Sequence, residues 1–163
     1  MNERIGPLVA VIGGASCSEV EATIAAEVGR LLAAAGAVVM TGGRGGVMEA
    51  ASRGAAQAGG LVVGVLPGED ASDANRWVTL PIVTGLGEAR NAVLMRSAHA
   101  VIAVGGEYGT LAEIAFALKF GRPVVGIHTW QATDGSGGTL PIHRAETPAE
   151  AVEITLRFLK DYP

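Results

Sequence analysis

At 163 residues with a formal net charge of −4, 49% hydrophobic residues, 24 glycines and one cysteine, the chain has the length of one ordinary domain, read as spanning 1–163. The lone Cys17 excludes an intrachain disulfide and a multi-cysteine metal site, and the acidic balance supplies no basic stripe for nucleic acid. Alanine and glycine inflate the hydrophobic share and every apolar run stops short of a membrane span, so the sequence reads as soluble and cytoplasmic, with no membrane partner.

Arg4 followed by Leu8–Ile12 has the order of a secretion leader, but the apolar stretch ends at Gly13-Gly14 and is too short for one. Leu8–Ile12 reads instead as a strand buried on both faces of a parallel sheet. Ser18-Glu19-Val20-Glu21 has the capping-box pattern, and Val20, Ile24, Val28, Leu31 and Ala35 form the expected helical stripe, ended by Gly36. Ala37–Met40 is the second strand. A glycine loop, Thr41–Gly46, leads to a helix from about Val47 to Ala58, and Leu61–Leu66 is the third strand, closed by Pro67. The polar segment Gly68–Arg76 predicts a mobile loop, and Trp77–Thr84, which contains Pro81, predicts a strand near the sheet edge.

A helix over about Gly87–Ala98 precedes the strand Ala100–Val104 and a second glycine loop, Gly105–Thr110. Thr110–Phe120 reads as helix, Gly121-Arg122-Pro123 as punctuation and Val124–Ile127 as another buried strand. Gln131–Thr139 predicts a surface loop, and Thr147-Pro148-Ala149-Glu150 opens the last helix with an N-cap, a proline at the first position and a capping glutamate. Strand and helix alternate with no repeat. The fold class is α/β: a Rossmann-like, doubly wound, mainly parallel sheet with helices on both faces.

Each glycine loop follows a strand and opens a helix, which lets a ligand approach backbone N–H groups and the positive end of the helix dipole. Two such loops predict a site for phosphate or another anion, held by Gly42, Gly43, Arg44, Gly45 and Gly46 from the first and by Gly105, Gly106, Tyr108, Gly109 and Thr110 from the second. Neither loop is a Walker A motif, and Gly13–Ser18 after the first strand does not spell the dinucleotide fingerprint. His99, His128 and His143 show no ligand spacing, so no metal is expected. Arg44 reads equally as a phosphate ligand and as a solvated loop cation. Thr110-x-x-Glu113 also fits a capping box, which leaves Glu113 either a site carboxylate or a cap. Cys17 reads as a small buried side chain, the alternative being a thiol activated by the helix start, and His99 as structural.

Gly105-Gly106-Glu107-Tyr108-Gly109-Thr110-Leu111-Ala112-Glu113, with Arg90 upstream, resembles the P-G-G-x-G-T-x-x-E motif and paired arginine of the lonely-guy (LOG) family, long labelled lysine decarboxylases. Thr41–Glu49 is similar to the G-G-G-x-x-G-L-M-G motif of that family. The resemblance spans nearly the whole chain and extends to the molybdenum-cofactor carrier proteins of the same SLOG-type Rossmann fold. It implies a nucleotide-binding protein in which Arg90 and Glu113 cleave the N-glycosidic bond of nucleoside 5′-monophosphates. The alternative it implies is a non-catalytic carrier of molybdenum cofactor or another phosphorylated ligand. The departures Gly105, Glu107, Asn91 and Glu49 look more like the carrier branch. No lysine sits in a pocket motif, so a pyridoxal decarboxylase is rejected. The implied partner is a small phosphorylated ligand, a nucleotide or a pterin, with no further cofactor required. A homodimer or higher homo-oligomer is expected through Val93, Leu94, Leu111, Ile114, Phe116 and Leu118.

Overall fold

A computed structural model describes residues 5–160, so Arg4 lies outside the described residues. Seven parallel strands form one sheet: β1 (Leu8–Gly13), β2 (Val38–Thr41), β3 (Val62–Leu66), β4 (Leu80–Val83), β5 (Ala100–Val104), β6 (Val124–Ile127) and β7 (His143–Arg144). Their order is β4-β3-β2-β1-β5-β6-β7, with Val9 of β1 in register with both Val39 of β2 and Ala100 of β5. The chain winds outward in one direction from β1 to β4 and in the other from β5 to β7. The topological switch therefore lies between β1 and β5.

Five helices cover the sheet. Helices α1 (Glu19–Ala34), α2 (Val47–Gln57) and α5 (Pro148–Phe158) share one face; α3 (Arg90–Ser97) and α4 (Tyr108–Lys119) share the other. The period-2 alternation of the central strands sorts their side chains. Val9, Val11, Ile102 and Val104 pack under the first group with Val28, Leu32 and Ala51, while Ala10, Ile12, Val101 and Ala103 pack under the second with Leu94, Met95 and Ile114. Burial of each Val, Leu or Ile stabilises the fold by about 1.5–3 kcal/mol relative to exposure, so the two layers carry the stability.

Helix α1 starts as its capping box predicts: the Ser18 hydroxyl accepts from the Glu21 N–H, and the Glu21 carboxylate accepts from the Ser18 N–H. Its buried face follows the predicted stripe only in part: Val28 is buried and Ile24 and Leu31 pack against the core, but Val20 and Ala35 are exposed and Ala25, Gly29 and Leu32 complete the face. The reason is the close approach of α1 to α2: a Cβ on Gly29 would lie 2.1 Å from the Ala51 carbonyl oxygen, and one on Gly54 would lie 1.8 Å from that of Ala26. Small residues, not large apolar ones, mark this seam.

The segment between β3 and β4 holds a 3-10 turn at Ala71–Asp73 and is anchored, contrary to the mobile loop expected. The Asn75 N–H donates to the Gly43 carbonyl and its side-chain amide to that of Arg44. Strand β4 takes the expected edge position but is shorter than Trp77–Thr84, because Asn75 folds its side chain onto the Trp77 N–H in a turn. Strand β7, only two residues long, was not anticipated. Leu94 and Ile114, assigned above to an association surface, belong to the molecule's own core. Among the described residues no helix is long and apolar enough to cross a membrane.

Candidate functional site

The carboxyl ends of β1, β2 and β5 open into a cleft of about 660 Å³ at the switch point. Gly13, Gly14 and Ala15 after β1 form its floor, together with Arg44, Gly45 and Met48 from the β2–α2 loop and Glu107, Gly109, Thr110 and Glu113 from the β5–α4 segment. Pro67 after β3 and Gly87, Glu88, Arg90 and Asn91 at the start of α3 complete the wall.

Of the residues singled out from sequence, Arg44, Gly45, Arg90, Gly109, Thr110 and Glu113 line this cleft. The others do not. Gly42 lies beneath Arg90, where a Cβ would sit 2.6 Å from both the guanidinium and the Met48 sulfur. Gly43 packs on Gly64 and Leu66, with its N–H bonded to the Thr41 hydroxyl. Gly46 is the N-cap residue of α2 at φ 62°, pressed against Gly14 and Ala15 so closely that a Cβ would lie 2.1 Å from the Gly14 carbonyl oxygen. Gly105 faces the Glu21 carboxylate and Gly106 the Thr110 side chain. Tyr108 is turned outward against Trp130, with ring centroids 5.7 Å apart.

Arg90 is built into the wall. One guanidinium nitrogen donates to the carbonyls of Gly42 and Val65, and Nε donates to the Asn91 side-chain oxygen at 2.9 Å. It brackets the first glycine loop to β3, which explains both the glycine at 42 and the asparagine at 91. Burial lowers the guanidinium from its usual range; the Glu113 charge opposes that shift and Arg44 adds to it. The group stays cationic at any ordinary pH.

Glu113 is buried, and its capping reading fails. Helix α4 starts at Tyr108 with Glu107 as N-cap residue, which puts Thr110 inside the first turn and Glu113 a full turn beyond any free amide. Burial pushes its carboxyl up to about 7, with Arg90 pulling the other way. The cleft therefore holds a group that exchanges a proton near neutrality. The activated-thiol alternative for Cys17 is overturned too, because burial and the Glu21 charge push that thiol up. His99 is structural: its Nδ1 accepts from the Leu8 N–H.

Helices α2 and α4 both start at the cleft with no side-chain cap on their N-termini, whereas α1 and α5 are capped by Ser18 and Thr147. The start of α2 beside Arg44 makes a local field suited to an anion, whereas the start of α4 carries the Glu107 carboxylate. One amide is already used, since Val47 N–H donates to the Gly14 carbonyl. The β1 loop was missed as a site element because its sequence fails the dinucleotide pattern. Its one usable signal was its place after an apolar strand that proves central. No group of three or more metal-ligating side chains occurs among the described residues.

Residues 6–152 match the model of the SLOG cluster4 family. An uncharacterized protein of Archaeoglobus fulgidus is 42% identical over 148 residues, 91% of this chain and 93% of its own. The molybdenum cofactor binding protein of Rippkaea orientalis superposes with a TM-score of 0.84 at 33% identity, over 97% of this chain and 99% of that one. The molybdenum cofactor carrier protein of Chlamydomonas reinhardtii gives 0.82 at 35%, over 96% and 99%. DNA processing protein A of Streptococcus pneumoniae, at 21% identity and 0.70 over 91% of this chain and 61% of that one, shares the fold alone.

Proposed function

The chain belongs to the SLOG cluster4 family, and on that premise we propose that it binds and carries a phosphorylated small molecule, with a molybdenum cofactor-type pterin as the leading cargo. The observation that carries this reading is the commitment of Arg90. The arginine that would have to grip a ribose during hydrolysis instead spends its hydrogen bonds on the Gly42 and Val65 carbonyls and on Asn91. What remains to hold an anion are Arg44 and the uncapped start of α2, a binding arrangement. A cleft of about 660 Å³ suits a ligand of this size. Likeness to two molybdenum cofactor proteins over almost the full chain supports the choice of cargo. The fold is expected to form without the cargo, and no nucleic acid is expected to bind. Assembly as a homodimer or higher homo-oligomer belongs to the same proposal, with its surface narrowed to Val93 and the half-buried Leu111, Phe116 and Leu118.

A second reading, hydrolysis of the N-glycosidic bond of nucleoside 5′-monophosphates, is favoured by one observation. Glu113 is buried at the cleft and titrates near 7. There it would stabilise positive charge developing on a sugar and orient water.

One experiment separates the two. The purified protein is mixed with cofactor released from a molybdoenzyme, passed through gel filtration, and assayed for pterin fluorescence and molybdenum. A parallel sample is incubated with adenosine and guanosine monophosphates and analysed for free base, and a third with a single-stranded oligonucleotide. Retained pterin and molybdenum, with no free base and no oligonucleotide bound, is the expected result. Free base released by the wild type but not by Glu113→Gln would transfer the protein to the second reading. Loss of both pterin and molybdenum on gel filtration, with no free base released, would overturn the proposal.

A further inference from the structure

The charges lining the cleft do not suit a phosphate alone. Two arginines, Arg44 and Arg90, face three carboxylates, Glu88, Glu107 and Glu113. Glu113 is buried with Arg90 opposing its charge shift. Glu107 is different. It occupies the N-cap position of α4 without capping the helix, it is exposed, and its carboxylate makes no hydrogen bond or ion pair with any described residue. A glycine stands there in the family pattern this loop resembles. A free carboxylate at the start of a helix repels phosphate, so its fit is to another part of the ligand. Carboxylate oxygens only accept, and their geometry matches two parallel N–H donors.

The next residue supplies a surface for a flat ring. Tyr108, 81% exposed, is the most exposed large apolar side chain among the described residues, and it stands between two residues that line the cleft. Its ring lies 5.7 Å from that of Trp130 at an interplanar angle of 35°. Trp130 is fixed by its indole N–H, which donates to the Glu107 carbonyl at 2.9 Å. Thr129 is pinned to the Gly105 carbonyl, and Arg144 donates to the carbonyls of Thr129 and Trp130. The aromatic pair is thus held in place before any ligand arrives, which lowers the ordering cost of stacking on it. Beside it Gly109, which lines the cleft, has no neighbour within 4 Å of where a Cβ would stand.

We propose that the Glu107–Tyr108 corner is a recognition subsite for a heterocycle carrying an amino group next to a ring N–H, the edge that guanine and pterins share. The ring stacks on Tyr108 and its donor pair meets the Glu107 carboxylate, while the phosphate lies toward Arg44 and the start of α2. The inference rests on the reading of the cleft as a phosphorylated-ligand site.

Guanosine and inosine monophosphates differ only in the amino group, and ribose 5-phosphate lacks the heterocycle, so the three together isolate each contact. Calorimetry is expected to show wild-type protein binding guanosine monophosphate about tenfold more tightly than inosine monophosphate, one hydrogen-bonded contact's worth. Glu107→Gln is expected to erase that preference. Tyr108→Ala should weaken both nucleotides about tenfold and leave ribose 5-phosphate unchanged, with Tyr108→Phe close to wild type. Equal wild-type affinity for the two nucleotides, or a preference that survives Glu107→Gln, overturns the subsite. Failure of all three compounds to bind overturns instead the phosphate reading beneath it. Thermal unfolding of each variant identifies a change caused by misfolding.

Discussion

In the Thr41–Gly46 loop the glycines make room for the protein's own atoms, whereas in the Gly105–Thr110 loop Gly109 leaves room at the first turn of α4. Gly46 abuts the backbone of Gly14 and Ala15, Gly43 abuts Gly64, and Gly42 passes beneath an arginine that is hydrogen-bonded into the wall. Gly105 and Gly106 also touch their own chain, but through the side chains of Glu21 and Thr110. The two loops read alike as runs of glycine. One is closed in by its neighbours, by backbone at Gly46 and by side chains at Gly42 and Gly43; the other is open at the helix that follows it. A glycine-rich turn after a strand therefore records crowding as readily as it records a ligand.

The largest expected effect comes from breaking the locked loop. Gly46→Val places a branched side chain at φ 62° and ψ −131°, with backbone atoms within 3 Å of its Cβ. A loss of more than about 3 kcal/mol is expected, read as failure of cooperative urea unfolding or a collapse in its midpoint. A variant as stable as wild type would end the distinction between the loops.

A smaller effect tests Glu113, which stands behind the open loop. Its carboxyl is raised from 4.5 to about 7 in the folded protein, so the fold favours the protonated form. Below about pH 4.5 the group is protonated folded and unfolded, and its ionisation costs nothing. As pH rises from 4.5 to 7 the unfolded chain ionises first, stability falls, and above 7 the loss is complete. Glu113→Gln removes that loss, so it should exceed wild type by about 1–3 kcal/mol at pH 8 and match it near pH 4.5. Denaturant unfolding at the two pH values checks this; equal stability at both would show that burial does not hold the proton.

The smallest effect on stability, and the one that sharpens the comparison most, is Gly109→Ala. Alanine meets nothing within 4 Å and favours the helix, so a gain of up to about 1 kcal/mol is expected. Because the added methyl stands at the cleft, affinity for guanosine monophosphate should drop at least about tenfold while the melting temperature holds or rises. Unchanged affinity would remove the start of α4 from the site.

Most of the fold was legible because β-branched runs, glycine stops and side-chain caps are local signals. Six of the seven strands and all five helices stand where those signals put them, with ends shifted by a few residues. The misses have tertiary causes. The α1 stripe is shifted because Ala26 and Gly29 are valuable only against α2, and nothing in α1 alone announces α2. The Thr110–Glu113 capping box was an accident of spacing, undone by a helix that begins two residues earlier. At the site, Arg44 and Glu113 were legible as charged residues in or just after the glycine loops, and Arg90 through the family motif that the second loop resembles. The β1 loop was not, because its contribution comes from the position of β1 at the centre of the sheet, and strand order is not written in any one segment.

The glycines at the α1–α2 seam reach the cleft by another route. Helix α2 is clamped at its front by Gly46 against Gly14 and rests at Gly54 on the Ala26 carbonyl. From Met48, which faces the cleft, to Gly54 is about 9 Å along the helix axis. In mechanical terms α2 is a short beam held at two points, and a side chain at Gly54 would lift its far end and rotate the wall that Met48 presents. A substitution at Gly54 is therefore expected to change the width of the cleft from its back, at a position outside the cleft lining.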